Sequence, residues 1–456
     1  MKHNFISFAL LSFPVAVFSA TSQQTDRPNI VVIIADDLGT CELSCYGGRN
    51  LETTNIDRLA KEGIQLTNNY ASTAMSVPIR ASMYTGLYPA RHGSYQNHKK
   101  TFTDVKSITH YMPLTGYRIA RTGKDHPGGQ PQVYNFEKIP GFTVGCTALE
   151  APYTTDGIEE FMSNSQDPFC LFVCSIHPHA PWSWGDPDEF DPAKIVLPPN
   201  CVDNKQIREL FCHYLAEIRA LDNEVGSVYA SLQKVGKLDN TLVIFLGEQG
   251  PRLPFGKWTS YRYGQNSAFI ARYPAKIKAG SISDAIVQYE DIMPTLIDFA
   301  GGEKIDNIDG ISCLQVLYGK QKNHRQWAYG IHNNIPEGRA YPIRSIQDKR
   351  YKLILNLKSE VEYHEKHLMD PNAKEKVWDS FLQAAKTDPF AQFLVDHYTK
   401  RPPVEFYDLK NDPWELKNLA DRPQYAKRIE SMKAELHLWM KQQGDTGADM
   451  DVAQKN

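Results

Sequence analysis

Two uninterrupted apolar runs, each followed closely by acidic or amide side chains, constrain the fold more strongly than any other feature of the chain. Residues 30–34 are all Ile or Val, and two adjacent aspartates follow after one alanine. Residues 242–246 form a second run, after which a glutamate and a glutamine follow a glycine. Such runs are typical of strands buried in a parallel sheet. Helical segments such as residues 206–232 alternate with the strands, which predicts an α/β fold whose large, mostly parallel sheet is flanked by helices.

The polar residues after these two runs are candidate ligands for a metal ion. Ligands collect at the carboxyl ends of strands in open α/β sheets, which is where these residues fall. An acid that caps a helix is the structural alternative, but two consecutive acids after the first strand favour a metal site. Carboxylate and amide oxygens are the ligands that hard cations prefer. The candidates are Asp36, Asp37, Glu248 and Gln249.

A third constraint is the segment Ser-Val-Pro-Ile-Arg-Ala-Ser-Met-Tyr-Thr-Gly at residues 76–86. Its structural interpretation is a Pro-containing turn that enters a helix at residues 80–84. The segment also resembles the maturation motif of the sulfatases, in which a Cys or Ser precedes x-Pro-x-Arg, and Thr-Gly follows five residues after the Arg. The resemblance implies that Ser76 is converted to formylglycine (3-oxoalanine) and that Arg80 holds the modified residue in its ionised form.

Three further basic segments occur in the order found in sulfatases. Lys124 and His126 lie in a segment similar to the Gly-Lys-x-His element of the family. His179 lies in a segment similar to its Pro-His element, and Lys257 follows the second candidate metal strand at the usual short distance. Taken singly, each basic residue is more simply a surface charge, and His179 a loop histidine. Their common order, together with the Ser76 motif, favours the sulfatase interpretation.

The second pair of candidate ligands departs from the family pattern. Most sulfatases have Asp-Asn where this chain has Glu248 and Gln249. Each side chain is one methylene longer, but the donor set remains one carboxylate and one amide oxygen. Such a set suits the flexible coordination of calcium better than the strict octahedron of magnesium, so we expect Ca²⁺. The resemblance further implies that residue 76, once modified, also coordinates the ion.

The resemblance implies a mechanism in which hydrated formylglycine, a geminal diol, attacks sulfur and frees the alcohol or amine. Lys124, His179 and Lys257 would clamp the sulfate, and either His179 or Lys257 would protonate the leaving group. His126 would act as the base that collapses the sulfated hemiacetal and regenerates the aldehyde. His92, near the end of a predicted helix, is interpreted as a structural cap.

Other polar residues are candidates for contacts with the substrate outside the sulfate. His177, two residues before His179, is placed to contact a sugar. The segment of residues 332–339 is polar and turn-rich, and we expect it to reach over the same slot. Its candidate sugar ligands are His332, Glu337 and Arg339. An ordinary surface loop is the alternative interpretation of this segment.

A chain of 456 residues exceeds the size at which a single core stops growing, so two domains are expected after a signal peptide. We predict a signal peptide at residues 1–20, a catalytic domain at 21–324 and a C-terminal subdomain at 325–456. In the C-terminal subdomain, residues 341–346 and 350–357 are predicted as paired strands, and residues 424–443 as a terminal amphipathic helix.

The leader predicts an exported protein, periplasmic or secreted, in a bacterium. The net charge of −3 argues against nucleic acid as a partner, and no later apolar run approaches the roughly 20 residues of a membrane-spanning helix. Eight cysteines are spread without metal-like spacing, and two of them lie in a predicted core strand at residues 169–174. Export permits disulfides, but spacing does not assign them.

Within the alkaline-phosphatase-like superfamily, the chain resembles the heparan N-sulfatase (N-sulfoglucosamine sulfohydrolase) group and related bacterial carbohydrate sulfatases, on residues 332–357 and 406–419. The resemblance implies an exo-acting sulfatase on a terminal sugar of a sulfated glycan. Because the modified residue is a serine, it also implies a radical-type maturating enzyme as a partner. The alternatives are an O-sulfatase acting on galactose or hexosamine, a phosphomonoester or phosphonate hydrolase, and a non-catalytic glycan-binding relative. The complete metal and sulfate sets weigh against the last two.

Overall fold

The computed structural model describes Met1 and residues 27–127, 129–373 and 375–450. The predicted signal peptide therefore lies, apart from Met1, outside the described residues. The described chain forms a large, mostly parallel sheet flanked by helices and a smaller antiparallel sheet near the C-terminus. This arrangement confirms the predicted α/β fold class.

Among the described residues the main sheet has eight strands, in the spatial order β4-β3-β5-β1-β6-β7-β2-β8. They are β1 (Asn29–Ile34), β2 (Ile64–Tyr70), β3 (Arg118–Gly123), β4 (Glu137–Lys138), β5 (Phe169–Cys174), β6 (Thr241–Leu246), β7 (Phe269–Arg272) and β8 (Ser281–Gln288). β7 runs antiparallel to both of its neighbours, and the other neighbouring pairs are parallel. β1 lies near the centre, where it pairs with β5 on one side and β6 on the other.

Helices lie between and after these strands, and they cover both faces of the sheet. They are α1 (Thr54–Glu62), α2 (Ser76–Thr85), α3 (Pro89–His92), α4 (Ile108–Tyr111), α5 (Asp156–Asn164), α6 (Lys205–Lys234), α7 (Arg262–Gln265), α8 (Ile292–Phe299), α9 (Leu314–Leu317), α10 (Lys366–Met369), α11 (Val377–Ala385), α12 (Pro389–Thr399) and α13 (Ala426–Gln443). Short 3₁₀ helices cover Thr40–Glu42, Ser44–Tyr46, Met112–Thr115, Pro187–Glu189, Leu238–Asn240, Tyr289–Asp291, Pro423–Tyr425 and Gly447–Asp449.

Strand β1 is apolar throughout its core because both of its faces are covered. Val31 and Ile33 belong to the hydrophobic cluster that contains the buried side of α6. Ile30 and Val32 belong to the cluster on the opposite face, with residues of α2 and α8. A strand covered on both sides loses the alternation of apolar and polar residues that marks a half-exposed strand. The apolar runs therefore predicted these strands correctly, and the predicted strand at residues 169–174 coincides with β5.

The smaller sheet contains β9 (Ala328–His332), β10 (Ile343–Gln347), β11 (Tyr351–Asn356) and β12 (Val404–Asp408). Its neighbours pair antiparallel in the order β12-β11-β10-β9, which confirms the predicted pairing of β10 with β11. α13 packs its buried apolar residues in the same cluster as this sheet. It begins two residues later than predicted because residues 423–425 form a 3₁₀ turn.

The excursion between β11 and β12 carries α10, α11 and α12 away from the small sheet and onto the main core. Its buried residues Phe381, Leu394 and Tyr398 belong to the same hydrophobic cluster as Val31 of β1. The C-terminal part of the chain is therefore packed directly against the layer that supports the main sheet.

The eight cysteines are all free thiols, so the described fold is held together without disulfide bonds. Five of them are buried, including Cys170 and Cys174 of β5, where they behave as small apolar side chains. No helix in the described part of the chain combines the length and the apolarity needed to cross a membrane.

A buried ion pair joins the end of the main sheet to the segment that leads into the small sheet. Arg325 Nε donates to Asp291 Oδ2 at 2.7 Å, and the Asp291 carboxylate also accepts the backbone N–H of Ile311 at 2.8 Å. Burial would raise the pKa of Asp291, but Arg325 and His324 hold it well below its ordinary value. Its folded-state pKa is thus lowered, so the pair contributes stability above the unfolded pKa and loses it in acid.

We expect Asp291→Asn to lower the free energy of unfolding at pH 7 by about 3–5 kcal/mol, because it leaves a buried guanidinium without its carboxylate. Urea unfolding measures the change. The matched control is Asp284→Asn, whose exposed ion pair with Lys349 should contribute at most about 1 kcal/mol. The difference between wild type and Asp291→Asn should shrink as the pH falls below the ordinary aspartate value of about 3.9. A difference that grows in acid would contradict this account.

Candidate active site

Four neighbouring strands of the main sheet end at one edge, and the residues after them form the candidate site. β3, β5, β1 and β6 run parallel, so their carboxyl ends lie together. Ile34, the last residue of β1, lies beside Cys174 of β5 and Leu246 of β6. The site residues that follow these strands are Asp36 and Asp37 after β1, Lys124 after β3, His179 after β5, and Glu248 and Gln249 after β6.

Ser76 is the first residue of α2, so the helix begins four residues before the predicted residue 80. The segment around Pro78 is the first turn of this helix rather than a separate turn. Proline is tolerated there because the N–H groups of a first turn have no partner within the helix. All ten residues of α2 are buried, and Ser76 is 4 % exposed. The N-terminal end of the helix therefore presents the Ser76 hydroxyl to the strand ends.

Asp36, Asp37 and Glu248 form a buried carboxylate cluster, with one oxygen from each within 4.8 Å of the others. Ser76 Oγ lies 2.9 Å from Glu248 Oε2 and 3.2 Å from Asp36 Oδ1. Buried carboxylates are stable only when they are paired or coordinate a metal. The cluster thus brings together the residues predicted as metal ligands, around the residue predicted to be modified.

The side-chain amide of Gln249 provides a test of whether this cluster fits a metal ion. Its Nε2 donates to Asp37 Oδ1 at 2.7 Å and lies 3.0 Å from Ser76 Oγ. Its Oε1 is buried and has no hydrogen-bond partner in the described part of the chain. A rotation of the amide by 180° exchanges the two atoms. It would direct Oε1 at the carboxylates, an orientation that a bound cation would favour. The four side chains therefore fit a hard divalent cation such as Ca²⁺.

Three buried cations surround the cluster, each beside a different carboxylate. Their side chains and those of the acids are at most 5 % exposed. With all three acids ionised, three positive charges balance three negative charges, and a divalent cation would then add a positive surplus that an oxyanion could neutralise. The pairs are Lys124 with Asp36, Arg80 with Glu248, and Lys257 Nζ with Asp37 Oδ2 at 2.7 Å.

The crowding of acids changes their titration. Burial raises the pKa of Glu248 to about 8 against the effect of Arg80, and the neighbouring Asp36 adds to the rise. Burial would also raise the pKa of Asp36, but Lys124 and His179 hold it well below its usual value. Nearby positive charge lowers the pKa of a buried acid, as it does for Asp36, and a bound divalent cation would lower the pKa of Glu248 in the same way.

His179 lies at the rim of the cluster, with Nε2 3.5 Å from Asp37 Oδ2. Its Nδ1 lies 2.5 Å from the carbonyl oxygen of Ala180, so Nδ1 carries the proton and Nε2 of the neutral ring is an acceptor. Burial and the charge of Lys257 lower the pKa of His179 to about 4. The ring is therefore neutral near pH 7, with its lone pair on the side of the cluster.

His126 lies beside the cluster, with its ring 6.2 Å from that of His98 and nearly perpendicular to it. Burial, with the charges of Lys124 and Arg80, lowers the pKa of His126 to about 2. No hydrogen bond joins it to Ser76 in the described part of the chain. A neutral imidazole can accept a proton, as the predicted base must.

His177, which is expected to contact a sugar, has a buried side chain. It is 2 % exposed and lies between two glutamates of α6, with an Nδ1 contact to Glu217 and Nε2 3.7 Å from Glu224. Burial would lower its pKa, but these two carboxylates raise it. The backbone carbonyl of His177 accepts the N–H of Asp36 at 2.9 Å, so the residue supports the strand ends from behind.

The other predicted sugar contacts are also mostly buried. His332 belongs to β9 rather than to a loop, and it is fully buried, which helps to lower its pKa to about 3. Glu337 is 1 % exposed and accepts a hydrogen bond from Asn97 Nδ2 at 2.6 Å. Arg339 is exposed. All of these residues remain predicted sugar contacts, because Ser76 and Lys257 of the sulfate site are also buried.

His92 occupies the structural position expected of it, at the end of α3. Its Nδ1 accepts the N–H of Ser94 at 3.1 Å and its Nε2 lies 3.1 Å from Ser82 Oγ. Glu217 and Glu224, which hold His177, were not predicted from the sequence. The detectable signal was the presence of two acids on the apolar face of α6, where most positions carry core residues.

Comparisons with known proteins agree with this geometry. A sulfatase family model matches residues 28–302, and a model of the C-terminal part of N-sulphoglucosamine sulphohydrolase matches residues 250–387. Both models overlap in the stretch that contains Lys257, and the first contains the carboxylate cluster, Ser76 and the other basic residues of the site.

An ulvan-active sulfatase of Formosa agariphila is 32% identical over 437 residues, 94% of this chain and 83% of that protein. Human N-sulphoglucosamine sulphohydrolase is 26% identical over 467 residues, 91% of this chain and 90% of that protein. A solved structure of a protein in complex with its substrate D-glucosamine-2-N,6-O-disulfate aligns with a TM-score of 0.72 at 24% identity, covering 94% of this chain and 100% of that one. The chain belongs to the sulfatase family, whose members hydrolyse sulfate esters or sulfamates.

Proposed function

We propose that this protein removes sulfate from a terminal sugar of a sulfated carbohydrate, with formylglycine derived from Ser76 and a calcium ion as its cofactors. The observation that carries the proposal is the position of the Ser76 hydroxyl, 2.9 Å from Glu248 Oε2 within a cluster of three carboxylates and three cations. The family membership supplies the reaction, and the sugar substrates named for the relatives support the substrate class.

In this proposal the calcium ligands are Asp36, Asp37, Glu248, Gln249 and an oxygen of residue 76. A bound calcium ion supplies positive charge that stabilises an ionised oxygen on residue 76 and the oxygens of the sulfate. Formylglycine supplies a hydrated aldehyde, whose second hydroxyl lets the enzyme release sulfate without an attack of water at sulfur. The protein limits the access of water to the cluster, because α2 and the strand ends bury it.

The cations of the site serve the sulfate and the modified residue. Arg80 is fully buried, and its Nη1 and Nη2 have no hydrogen-bond partner in the described part of the chain, so they remain available as donors. Lys124 Nζ lies 3.3 Å from Ser76 Oγ, close enough to contact both residue 76 and a sulfate oxygen. Preorganised cations of this kind stabilise charge that develops in the transition state.

The tautomer of His179 favours Lys257 as the proton donor to the leaving group. The Nδ1 proton of His179 points to the Ala180 carbonyl, so its Nε2 has no proton to give in the neutral ring. Lys257 is an ammonium, and its pairing with Asp37 raises its pKa against the effect of burial. Of the two candidates that the resemblance left open, Lys257 therefore holds the available proton. His126, neutral and near the cluster, is the proposed base for the release of sulfate.

We further propose that the protein is exported, as the leader predicts, and that its maturating enzyme is of the radical type. Removal of hydrogen from the unactivated Cβ of a serine needs such chemistry, whereas an oxygen-dependent enzyme acts on a cysteine thiol. The domain boundary at residue 324 is proposed from sequence, and it falls just before β9, where the small sheet begins.

The first prediction from this proposed function concerns maturation. Protein made without a radical maturase should fold but be nearly inactive, because an unmodified serine lacks the second hydroxyl. Ser76→Cys produced with an oxygen-dependent maturase should regain activity, whereas Ser76→Ala should stay inactive in every host. Peptide mass spectrometry checks conversion, since oxidation of Ser76 removes two hydrogen atoms. Full activity of protein with intact serine would contradict the mechanism.

The second prediction concerns the metal. Glu248→Ala should abolish turnover and calcium binding, because it removes a ligand and leaves Arg80 without its carboxylate. Elemental analysis and thermal unfolding with and without chelator measure this, and calcium at 100 times its Kd should stabilise the wild type by about 2.7 kcal/mol. Glu290→Gln, a buried glutamate outside the cluster, is the matched control and should retain calcium. A wild-type enzyme that is fully active without metal, or that holds zinc, would refute the assignment.

The third prediction separates the two candidate proton donors. Lys257→Met should reduce the rate on a sugar sulfate by about 10²–10⁴-fold, the usual contribution of a general acid. It should reduce the rate on nitrophenyl sulfate much less, because that leaving group needs little protonation. His179→Gln should affect both substrates alike, since it removes only a contact with sulfate. The opposite pattern would assign the proton to His179.

A further inference from the structure

The backbone that carries Lys257 adopts an unusual conformation. Phe255 and Trp258 lie on either side of Gly256 and Lys257. Their φ angles are 65° and 64°, in the left-handed region of backbone conformation that residues other than glycine rarely adopt. Such residues persist only where their surroundings fix them, and they cluster at functional sites. The contacts that hold this turn therefore determine where the Lys257 ammonium lies.

Trp258 is held from two directions and is 4 % exposed. The backbone N–H of Trp258 donates to the carbonyl oxygen of Ala74, two residues before Ser76, at 3.0 Å. Its own carbonyl oxygen accepts a hydrogen bond from the Tyr363 hydroxyl at 2.8 Å. The ring of His367 stacks on the indole, with centroids 5.4 Å apart and an angle of 21°. Trp258 thus joins the segment before α2 to the excursion between β11 and β12.

Tyr363 is itself fixed by a buried arginine. The guanidinium of Arg401 lies 4.0 Å from the centroid of the Tyr363 ring. Tyr261, Tyr398 and Tyr341 also surround it, with centroids at 5.1, 5.1 and 5.8 Å. Among the described residues no carboxylate forms a salt bridge with Arg401, so aromatic faces provide most of its electrostatic stabilisation. A cation buried in this way limits the movement of the rings around it.

We infer that Tyr363 is a positioning residue for Lys257: by fixing the Trp258 carbonyl, it holds the left-handed turn that directs the Lys257 ammonium at the sulfate. His367 assists by covering the indole. The inference rests on the proposed role of Lys257 in sulfate binding. It gives the excursion that carries α10 to α12 a function, because this part of the chain completes the sulfate site without contributing a group to it.

The decisive measurement is the inhibition constant of inorganic sulfate on fully converted enzyme. Sulfate contacts only the sulfate site, and its Ki does not depend on the fraction of enzyme that is folded. Tyr363→Phe keeps the ring against Arg401 and removes only the hydroxyl. We expect it to raise the Ki about 2- to 12-fold, the range that corresponds to the loss of one hydrogen bond. Lys257→Met should raise the Ki at least as much.

The matched control is Tyr341→Phe, because Tyr341 lies in the same aromatic cluster and its hydroxyl has no hydrogen-bond partner in the described residues. It should leave the Ki unchanged. His367→Ala, a change at an exposed residue, should also raise the Ki and provides a second variant if Tyr363→Phe is poorly folded. A wild-type Ki in folded Tyr363→Phe, or in His367→Ala if the former does not fold, would overturn the inference while leaving the proposed function intact. A wild-type Ki in Lys257→Met would overturn the proposed role of Lys257 in sulfate binding, and the inference with it.

Discussion

The pairing of β1 with β5 on one side and β6 on the other is the constraint on which the site depends. It places Asp36, Asp37 and Glu248 at neighbouring strand ends, so that three acids meet where water is excluded. Acids in that position repel one another. Three cations offset this repulsion: Arg80 of α2, Lys124 after β3 and Lys257 after β6. Burial of opposite charges at this density has little value for stability alone. It is the arrangement expected of a site that binds a cation and an oxyanion together.

Much of this arrangement could be predicted from the sequence because its signals are local. Residues 30–34 and 242–246 are apolar throughout since both faces of their strands are covered, and the polar residues after them had to lie at one edge. The start of α2 was less predictable, because Pro78 is compatible with a turn and with the first turn of a helix. Only the packing of the segment against the strand ends decides between them.

The burial of two predicted sugar contacts could not be predicted from the sequence, for a different physical reason. His177 and His332 are polar residues in segments that look exposed, but each is buried, and His177 finds its carboxylates 40 and 47 positions later in the chain, on α6. A sequence shows that a residue can form an ion pair but does not show which distant element brings the partner. The same limit applies to Tyr363 and Arg401, whose contacts with Trp258 and with the tyrosines span more than a hundred residues in places.

The burial of α2 has a consequence for the order of folding and of the proposed modification of Ser76. Ser76 is almost inaccessible and every residue of its helix is covered, so a modifying enzyme has no route to its Cβ once the domain is folded. The proposed conversion of Ser76 would therefore precede the docking of α2 against the strand ends. Competition between folding and the maturase would then set the fraction of active molecules, independently of the stability of the final fold.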